Sequence, residues 1–356
     1  MNGNGINALV KKNVEWLRAT GPDSDVVVSS RLRLARNLKG FPFLQKLTPP
    51  QHEQVVQEMK SVVEKSQLLK KAYYFRYDEL TDLDRQFLLE RHLISREHAA
   101  DKGLRAVAIT PDELVSIMIL EEDHLRLQVF QSGFNLMEAW RIVNQLDTEI
   151  EKNAEFSFSP SLGYLTACPT NVGTGLRASC MLHLPSLVLT KQVHKVLQAL
   201  AKLNLAARGL YGEGTQATGN FFQFSNQMTL GQQEEEIIDN LASVIRQVVD
   251  QEREARTFLG DKRKAKFEDQ IWRALGTLKS ARVISSSEAT QLLSLLQLGI
   301  LMGLVKSNLT HQDLNALFLL IQPAHLQKIS AKTLNTTETD VRRAELIREK
   351  LTQVVL

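Results

Sequence analysis

At 356 residues the chain exceeds what one hydrophobic core usually serves, so two domains are expected. Hydrophobic residues at 43% and charged residues at 23% exclude a disordered or low-complexity chain, and a net charge of only +3 excludes a generic nucleic-acid coat while leaving room for arginines clustered in one cleft. Two cysteines without metal-type spacing, Cys168 and Cys180, and an N-terminus with no secretory signal point to a reducing cytosol, and the longest apolar run, 292–305, is too short for a bilayer.

In chain order, apolar spacing predicts a helix over 6–18, closed by Gly21-Pro22-Asp23. A strand over 25–28 runs on through Ser29-Ser30-Arg31-Leu32-Arg33-Leu34-Ala35-Arg36-Asn37, where Arg31 and Arg33 sit at period two and so share a face. Thr48 and Pro49 open a helix to about Gln67. Tyr73–Arg76 reads as a short strand and 80–92 as a second helix. Its terminal His92 could meet an adenine or ribose, or could simply offset the helix dipole. Strands follow over 105–110, 114–120 and 124–130, the last two joined by the acidic turn Glu121-Glu122-Asp123-His124-Leu125-Arg126. A helix over 135–153 and a strand over 155–159 lead to Cys168.

The stretch Cys168-Pro169-Thr170-Asn171-Val172-Gly173-Thr174-Gly175-Leu176-Arg177-Ala178-Ser179 places an arginine two residues after a pair of glycines. Glycines let a backbone approach a ligand closely and arginine offers a planar donor fork, so the stretch reads as a phosphate cradle, with an ordinary turn as the alternative. Beyond it come a strand over 181–185, a helix over 190–203, a second glycine-rich loop from Arg208-Gly209 to Gly214-Thr215, and a strand over 221–226. Thr229 and Gln232 read as a capping box for a helix to about Glu254. Mixed rather than alternating strands and helices predict an α+β fold built on an antiparallel sheet with helices packed on it. From Gly260 a charged link, Asp261 to Lys266, leads into helices over 267–279, 285–304, 311–319 and 337–354. The expected division is therefore 1–258 and a small all-helical domain over 259–356.

Arg31, Arg33, Arg126, Arg177 and Arg208 each stand beside a strand or glycine loop rather than on a helix face. Converging, they would neutralise a triphosphate and the charge that develops as a phosphoryl group moves. No Walker-type loop and no protein-kinase His-Arg-Asp or Asp-Phe-Gly pair occurs, so a different phosphotransferase is required. The blocks Ser29 to Arg33, Glu121 to Arg126, Cys168 to Ala178 and Arg208 to Asn226, in that order, resemble the catalytic core of the phosphagen (guanidino) kinases.

That resemblance implies ATP-dependent transfer to a guanidino nitrogen. A guanidinium stays protonated at neutral pH, so its nitrogen needs a carboxylate to take a proton and fix its plane. Glu121 is the expected base, with Glu122 assisting or contacting the magnesium shell. Mg²⁺ is expected on nucleotide phosphates and water, since no carboxylate cage for a metal is visible. Cys168 matches the family's reactive cysteine, whereas Cys180 reads as a buried small hydrophobe. The implied ATP-binding set is Ser29, Ser30, Arg31, Leu32, Arg33, His92, Arg126, Arg177, Ala178, Ser179, Cys180, Met181, Arg208, Gly209, Leu210, Tyr211, Gly212 and Glu213.

The metabolite-directed kinases carry a helical domain before this core, and here only one short helix precedes Ser29. An open acceptor site and helices after the core are similar to the bacterial branch of the family that acts on arginine side chains of proteins. That branch implies stress-linked marking for Clp-type proteolysis, with the activator McsA, the heat-shock repressor CtsR and the ClpC unfoldase as partners, and self-association. No membrane and no direct nucleic-acid contact is expected. It also implies an allosteric phosphoarginine site marked Arg-Asp-x-x-Arg-Ala, matched here by Thr339, Asp340, Arg343 and Ala344, with Thr339 in place of the first arginine and Arg342 as a substitute donor. The alternatives are a kinase of free arginine and a non-enzymatic phosphoarginine adaptor.

Overall fold

The computed structural model describes residues 3–10, 12, 14–100, 103–209, 217–262 and 264–354. Its frame is an eight-stranded sheet of β1 (Val27–Arg36), β2 (Tyr73–Arg76), β3 (Ala106–Ile109), β4 (Val115–Ile119), β5 (Leu125–Ser132), β8 (Leu176–His183), β9 (Leu205–Gly209) and β10 (Phe221–Asn226). The two-residue strands β6 (Phe158–Ser159) and β7 (Gly163–Tyr164) form a separate hairpin. The order in the large sheet is β2-β3-β4-β5-β1-β8-β10-β9, with every neighbouring pair antiparallel. The expected α+β architecture is therefore the one observed.

Alternation along the strands divides the interior in two. Leu32, Leu34, Ala178, Cys180 and Phe224 pack on one face against the helices Pro49–Lys65, Leu136–Glu151 and Glu234–Lys262. Val28, Met118, Phe130 and Phe221 belong to a second core on the other face. That core also takes in Leu9 and Trp16 near the N-terminus, Phe87 and Leu88, and Ile271, Leu293, Phe318 and Ile347 from the C-terminal helices.

Several local expectations need correction. The first helix covers only Gly3–Val10, and the strand over 155–159 reduces to β6. Thr229 is not a helix cap: its hydroxyl donates to the carbonyls of Thr170 (3.0 Å) and Val172 (2.7 Å), and the helix begins at Glu234. The charged stretch expected as a link is helical at Asp261 and Lys262 and again from Lys264, because Glu234–Lys262 and Lys264–Ser280 are helices; lysine and alanine are good helix formers, so charge alone does not mark a linker. The helix Pro323–Ser330 was not anticipated, since its end at Ala331 adopts φ +51° without the glycine that usually announces a helix stop.

A buried histidine joins the sheet to the C-terminal helices. His183 on β8 bonds the Ser294 hydroxyl at 2.7 Å through Nε2 and stacks on Phe221 with ring centroids 4.7 Å apart. Burial pushes its imidazole down to about 3. The folded value lies below the ordinary one of about 6.5, so the neutral ring's contribution is full above that pH and is lost as pH falls toward 3. Between pH 6.5 and 5.5 this removes about 1 kcal/mol, or roughly 2 °C in melting midpoint. His183→Gln, which cannot titrate, should show a correspondingly smaller acid shift. Parallel wild-type and variant melts across that range would refute the assignment.

Candidate active site

Strand alternation puts Ser29, Arg31 and Arg33 of β1 on one face, and the register sets Arg33 directly opposite Arg177 and Arg31 opposite Ser179 on β8. Like charges facing each other across a sheet are unfavourable, so their retention marks the face as chemical rather than structural. Arg31 lies 5.7 Å from the Phe130 ring centroid. Burial pushes its guanidinium down to about 10, with Arg126 and Arg177 adding in the same direction. Arg33 is driven further below its usual range by burial and then by Arg31, Arg126 and Arg177, and its Nε has no hydrogen-bond partner. With the exposed Arg208 of β9 and the half-buried Arg177, these groups line a cleft of about 590 Å³ whose other wall carries Glu121, Glu122 and Cys168.

The same alternation separates the remaining expected contacts. Ser30, Leu32, Ala178 and Cys180 point to the helix-covered face, where the Ser30 hydroxyl donates to Gly133 O (2.9 Å) and accepts from Asn135 N (2.9 Å). Their side chains are thereby removed from the cleft, and burial pushes the Cys180 thiol up to about 12. Ser29, Ser179 and Met181 instead bound a small recess beyond Arg31, together with Trp16, His92, Phe130 and Gln223. His92, at φ +60°, meets Trp16 edge-on with centroids 5.1 Å apart, and the buried Trp16 Nε1 has no acceptor. As it stands the recess holds only about 20 Å³, room for about one water, so a planar base would have to widen it to reach the Trp16 donor.

The acidic turn is held under strain. Leu120 adopts φ +61°, a conformation costly for a branched side chain, and Glu121 N donates to Asp123 O. Glu121 Oε1 accepts from Ser95 Oγ (2.6 Å) and Arg126 Nη1 (2.9 Å), while Oε2 accepts the Glu122 amide (2.9 Å). Arg126 also donates to Glu122 Oε2 at 2.7 Å, so the arginine expected on phosphate here bridges both carboxylates. The Glu121 side chain is 2% exposed and that of Glu122 41%. Behind them, buried Asp123 receives Asn37 Nδ2 and Ala167 N, each at 2.6 Å, which ties the turn to the Cys168 loop; burial raises its carboxyl.

In that loop Cys168 Sγ lies 3.0 Å from Thr170 Oγ1. The two glycines are each held by close packing of the protein's own backbone, and of the two Gly175 also lines the cleft beside Arg177. Gly173 (φ +111°) has the Thr229 and Leu230 backbone where a Cβ would stand, and Gly175 (φ +65°) has Ala35 O and Arg36 Nη1. Arg208 and Gly209 lie on a strand, not in a loop, and Leu210, Tyr211, Gly212 and Glu213 fall outside the described residues.

In the C-terminal helix Thr336–Lys350, Thr339, Arg343 and Ala344 are buried. The Arg343 guanidinium donates to the carbonyls of Ile321 and Ile284 (2.8 Å each) and pairs with Asp340, while Arg342 pairs with Glu345 and Glu349 on the outer side. The sequence reading missed Ser95, Glu97 and Gln223 at the cleft and Trp16 in the recess. Ser95 precedes a short helix, Arg96–Ala100, and only its cap position hinted at a role.

Arginines gathered on an antiparallel sheet against a pair of carboxylates define a guanidino-directed phosphotransferase. The profile of the ATP:guanido phosphotransferase C-terminal catalytic domain matches residues 54–255, and that of the protein-arginine kinase McsB C-terminal domain matches residues 264–355. The protein-arginine kinase of Symbiobacterium thermophilum is 48% identical over 351 residues, covering 98% of this chain and 99% of the relative; that of Moorella thermoacetica is 48% identical over 345 residues, covering 96% and 98%. A lombricine kinase structure superposes with a TM-score of 0.58 at 26% identity over 68% of this chain and 70% of that one. The substrate-free duplicated taurocyamine kinase from Schistosoma mansoni, with a TM-score of 0.58 at 23% identity over 74% of this chain and 40% of that chain, shares the fold. The chain belongs to the ATP:guanido phosphotransferase family and, within it, to the protein-arginine kinases.

Proposed function

We propose that the cleft transfers the γ-phosphoryl group of ATP to arginine side chains of proteins. The observation that carries this reading is the mutually repelling, partly buried set Arg31, Arg33 and Arg177, without an ion pair among the described residues, facing Glu121 and Glu122 across one cavity. The repulsion within such a set is relieved opposite a polyanion, and a triphosphate has the right size and charge. The adenine lies toward the recess of Trp16, His92 and Met181, which must open to admit it, and Arg31, Arg33, Arg177 and Arg208 hold the phosphates, with Arg126 shared between them and the carboxylates.

The acceptor guanidinium lies against Glu121 Oε2, which holds only the Glu122 amide while Oε1 takes both Ser95 and Arg126. Glu121 orients its plane and accepts the proton as the N–P bond forms and the bond from the γ-phosphorus to the ADP oxygen breaks. Glu122, the more exposed partner, holds the second edge, and Cys168 lines the acceptor end. Mg²⁺ bound with the nucleotide supplies charge neutralisation of the phosphate oxygens; Glu122 is the one open carboxylate of the pair placed to join its water shell.

We extend this to a division at about residues 258/259, with the C-terminal helices sensing phosphoarginine near partly exposed Asp340. Because Arg343 is engaged by carbonyls and Thr339 bonds Asn335 O, that site would draw on Arg342 after it leaves Glu345 and Glu349. By likeness to the family, the protein would work in the cytoplasm with McsA, act on CtsR, hand marked proteins to ClpC, and self-associate.

The deciding assay uses γ-labelled ATP, Mg²⁺ and an unfolded arginine-rich protein, with free arginine as competitor. Acid-labile label on the protein, resistant to free arginine, is expected; label mainly on free arginine would move the protein to the metabolite kinases, and no label on either would favour an adaptor. Ser95 tests the positioning of Glu121. Its Oγ accepts from His98 N, so its single proton must go to the carboxylate. Ser95→Ala should lower kcat about tenfold with little change in KM for ATP, and Ser95→Thr should restore most of it. Equal losses in both variants would mean that only the helix cap matters.

A further inference from the structure

An acceptor arginine on a polypeptide brings its neighbours to the cleft, and the surface beside the Cys168 loop is built to receive them. The β6–β7 hairpin and the segment before the helix Glu234–Lys262 leave four large apolar side chains in the open: Phe158 at 57% exposure, Leu162 at 46%, Met228 at 52% and Leu230 at 49%. Exposed apolar groups clustered beside a site mark a contact surface more often than chance. Phe158, braced edge-on by Tyr164 at 5.3 Å, stands between two grooves. One, of about 580 Å³, runs past Glu151, Glu155 and Leu165; the other, of about 250 Å³, runs past Leu162, Leu230 and Glu234. Lys39 is the one cation among the described residues lining either groove, so their balance is negative.

This surface is continuous with the catalytic cleft. Leu165 lies three residues before Cys168, at most about 11 Å along the chain. On the other side, Thr229 holds the carbonyls of Thr170 and Val172, and Thr170 and Asn171 are cleft wall while Thr229 and Leu230 are groove wall. One loop thus has the reaction on its inner side and the apolar grooves on its outer side. We propose that the grooves bind the substrate polypeptide next to the acceptor arginine, favouring segments with large apolar side chains and further positive charge. This rests on the protein-arginine kinase reading and adds a basis for choosing among arginines: those in segments whose apolar residues are exposed fill Phe158 and Leu230, and those on polar surfaces do not.

The test measures binding and turnover separately. Two fluorescein-labelled peptides of equal charge carry one arginine flanked either by leucine and phenylalanine or by glycine and serine. Wild type should bind the first at least about tenfold tighter, and the double variant Phe158→Ser/Leu230→Ser should bind both alike with its melting midpoint kept. A preference that survives in the double variant, or none in wild type, overturns the proposal. So does a double variant whose only change is in sedimentation, which would make the face a contact between copies of the chain. Phosphorylation of the glycine-serine peptide reports on the kinase reading; its failure would sink that reading while the anisotropy contrast still decides this one.

Discussion

Glu121→Gln should lower kcat for phosphoryl transfer by about three orders of magnitude while ATP still binds, as read by calorimetric titration. The amide keeps the volume, and its oxygen can still accept from both Ser95 and Arg126, but it cannot take a proton from the acceptor nitrogen, and its NH2 now faces the Glu122 amide donor. Proton abstraction and guanidinium orientation disappear together, whereas the phosphate-holding arginines on β1 and β8 are untouched. Glu122→Gln is the paired control. Its carboxylate is more exposed and held by Arg126 alone among the bonds described, so the expected loss is smaller, about tenfold to a hundredfold. A Glu121 variant within tenfold of wild type, together with a Glu122 variant that is inactive, would exchange the two roles.

Arg33→Met should move stability and function in opposite directions. The partly buried guanidinium faces Arg177 across the strands, lies near Arg31 and Arg126 with Glu121 as the opposing charge, and has an Nε without an acceptor. An uncompensated buried charge costs more than an apolar group of similar length, so the nucleotide-free variant should gain about 1–2 kcal/mol, seen as a melting midpoint raised by roughly 2–5 °C. ATP affinity should fall about tenfold to a hundredfold, because a charge-assisted contact to phosphate is lost. The stabilising effect of added ATP should shrink in step. A nucleotide-free variant less stable than wild type would show that Arg33 holds the sheet together rather than waiting for an anion.

Where periodicity governed the outcome, the chain was legible. Arg31 and Arg33 at period two, the strand at Tyr73–Arg76, and the Ser285 cap that accepts from Glu288 N all follow from local rules. The cleft's arginines and acidic turn were also visible, because those side chains have few cheaper uses beside strands. What escaped depends on approach between distant segments. Ser95 and Glu121 are brought together by the turn at Leu120, whose positive φ no side-chain pattern announces. That Thr229 packs beside Gly173 and Ala35 beside Gly175, leaving only Gly175 on the cleft, is likewise invisible in sequence. Thr229 looked like a cap because a hydroxyl before a helix usually is one, and here two loop carbonyls compete for it. Trp16 lies far from every motif and reaches the recess only through the second core.

The second core also bears on any attempt to carve the chain into parts. The two family profiles meet between residues 255 and 264, which looks like a natural place to cut. A fragment ending there would retain every arginine and carboxylate of the cleft but strip Phe318 from Phe221 and His325 from Phe87, in a core that also holds Phe130, Ile271, Leu293 and Ile347. Phe130 is also the ring beneath Arg31. The catalytic half thus shares the core behind its sheet with the C-terminal helices, and a protein engineer wishing to graft this chemistry elsewhere would have to carry those helices along or resurface that slab of the sheet first.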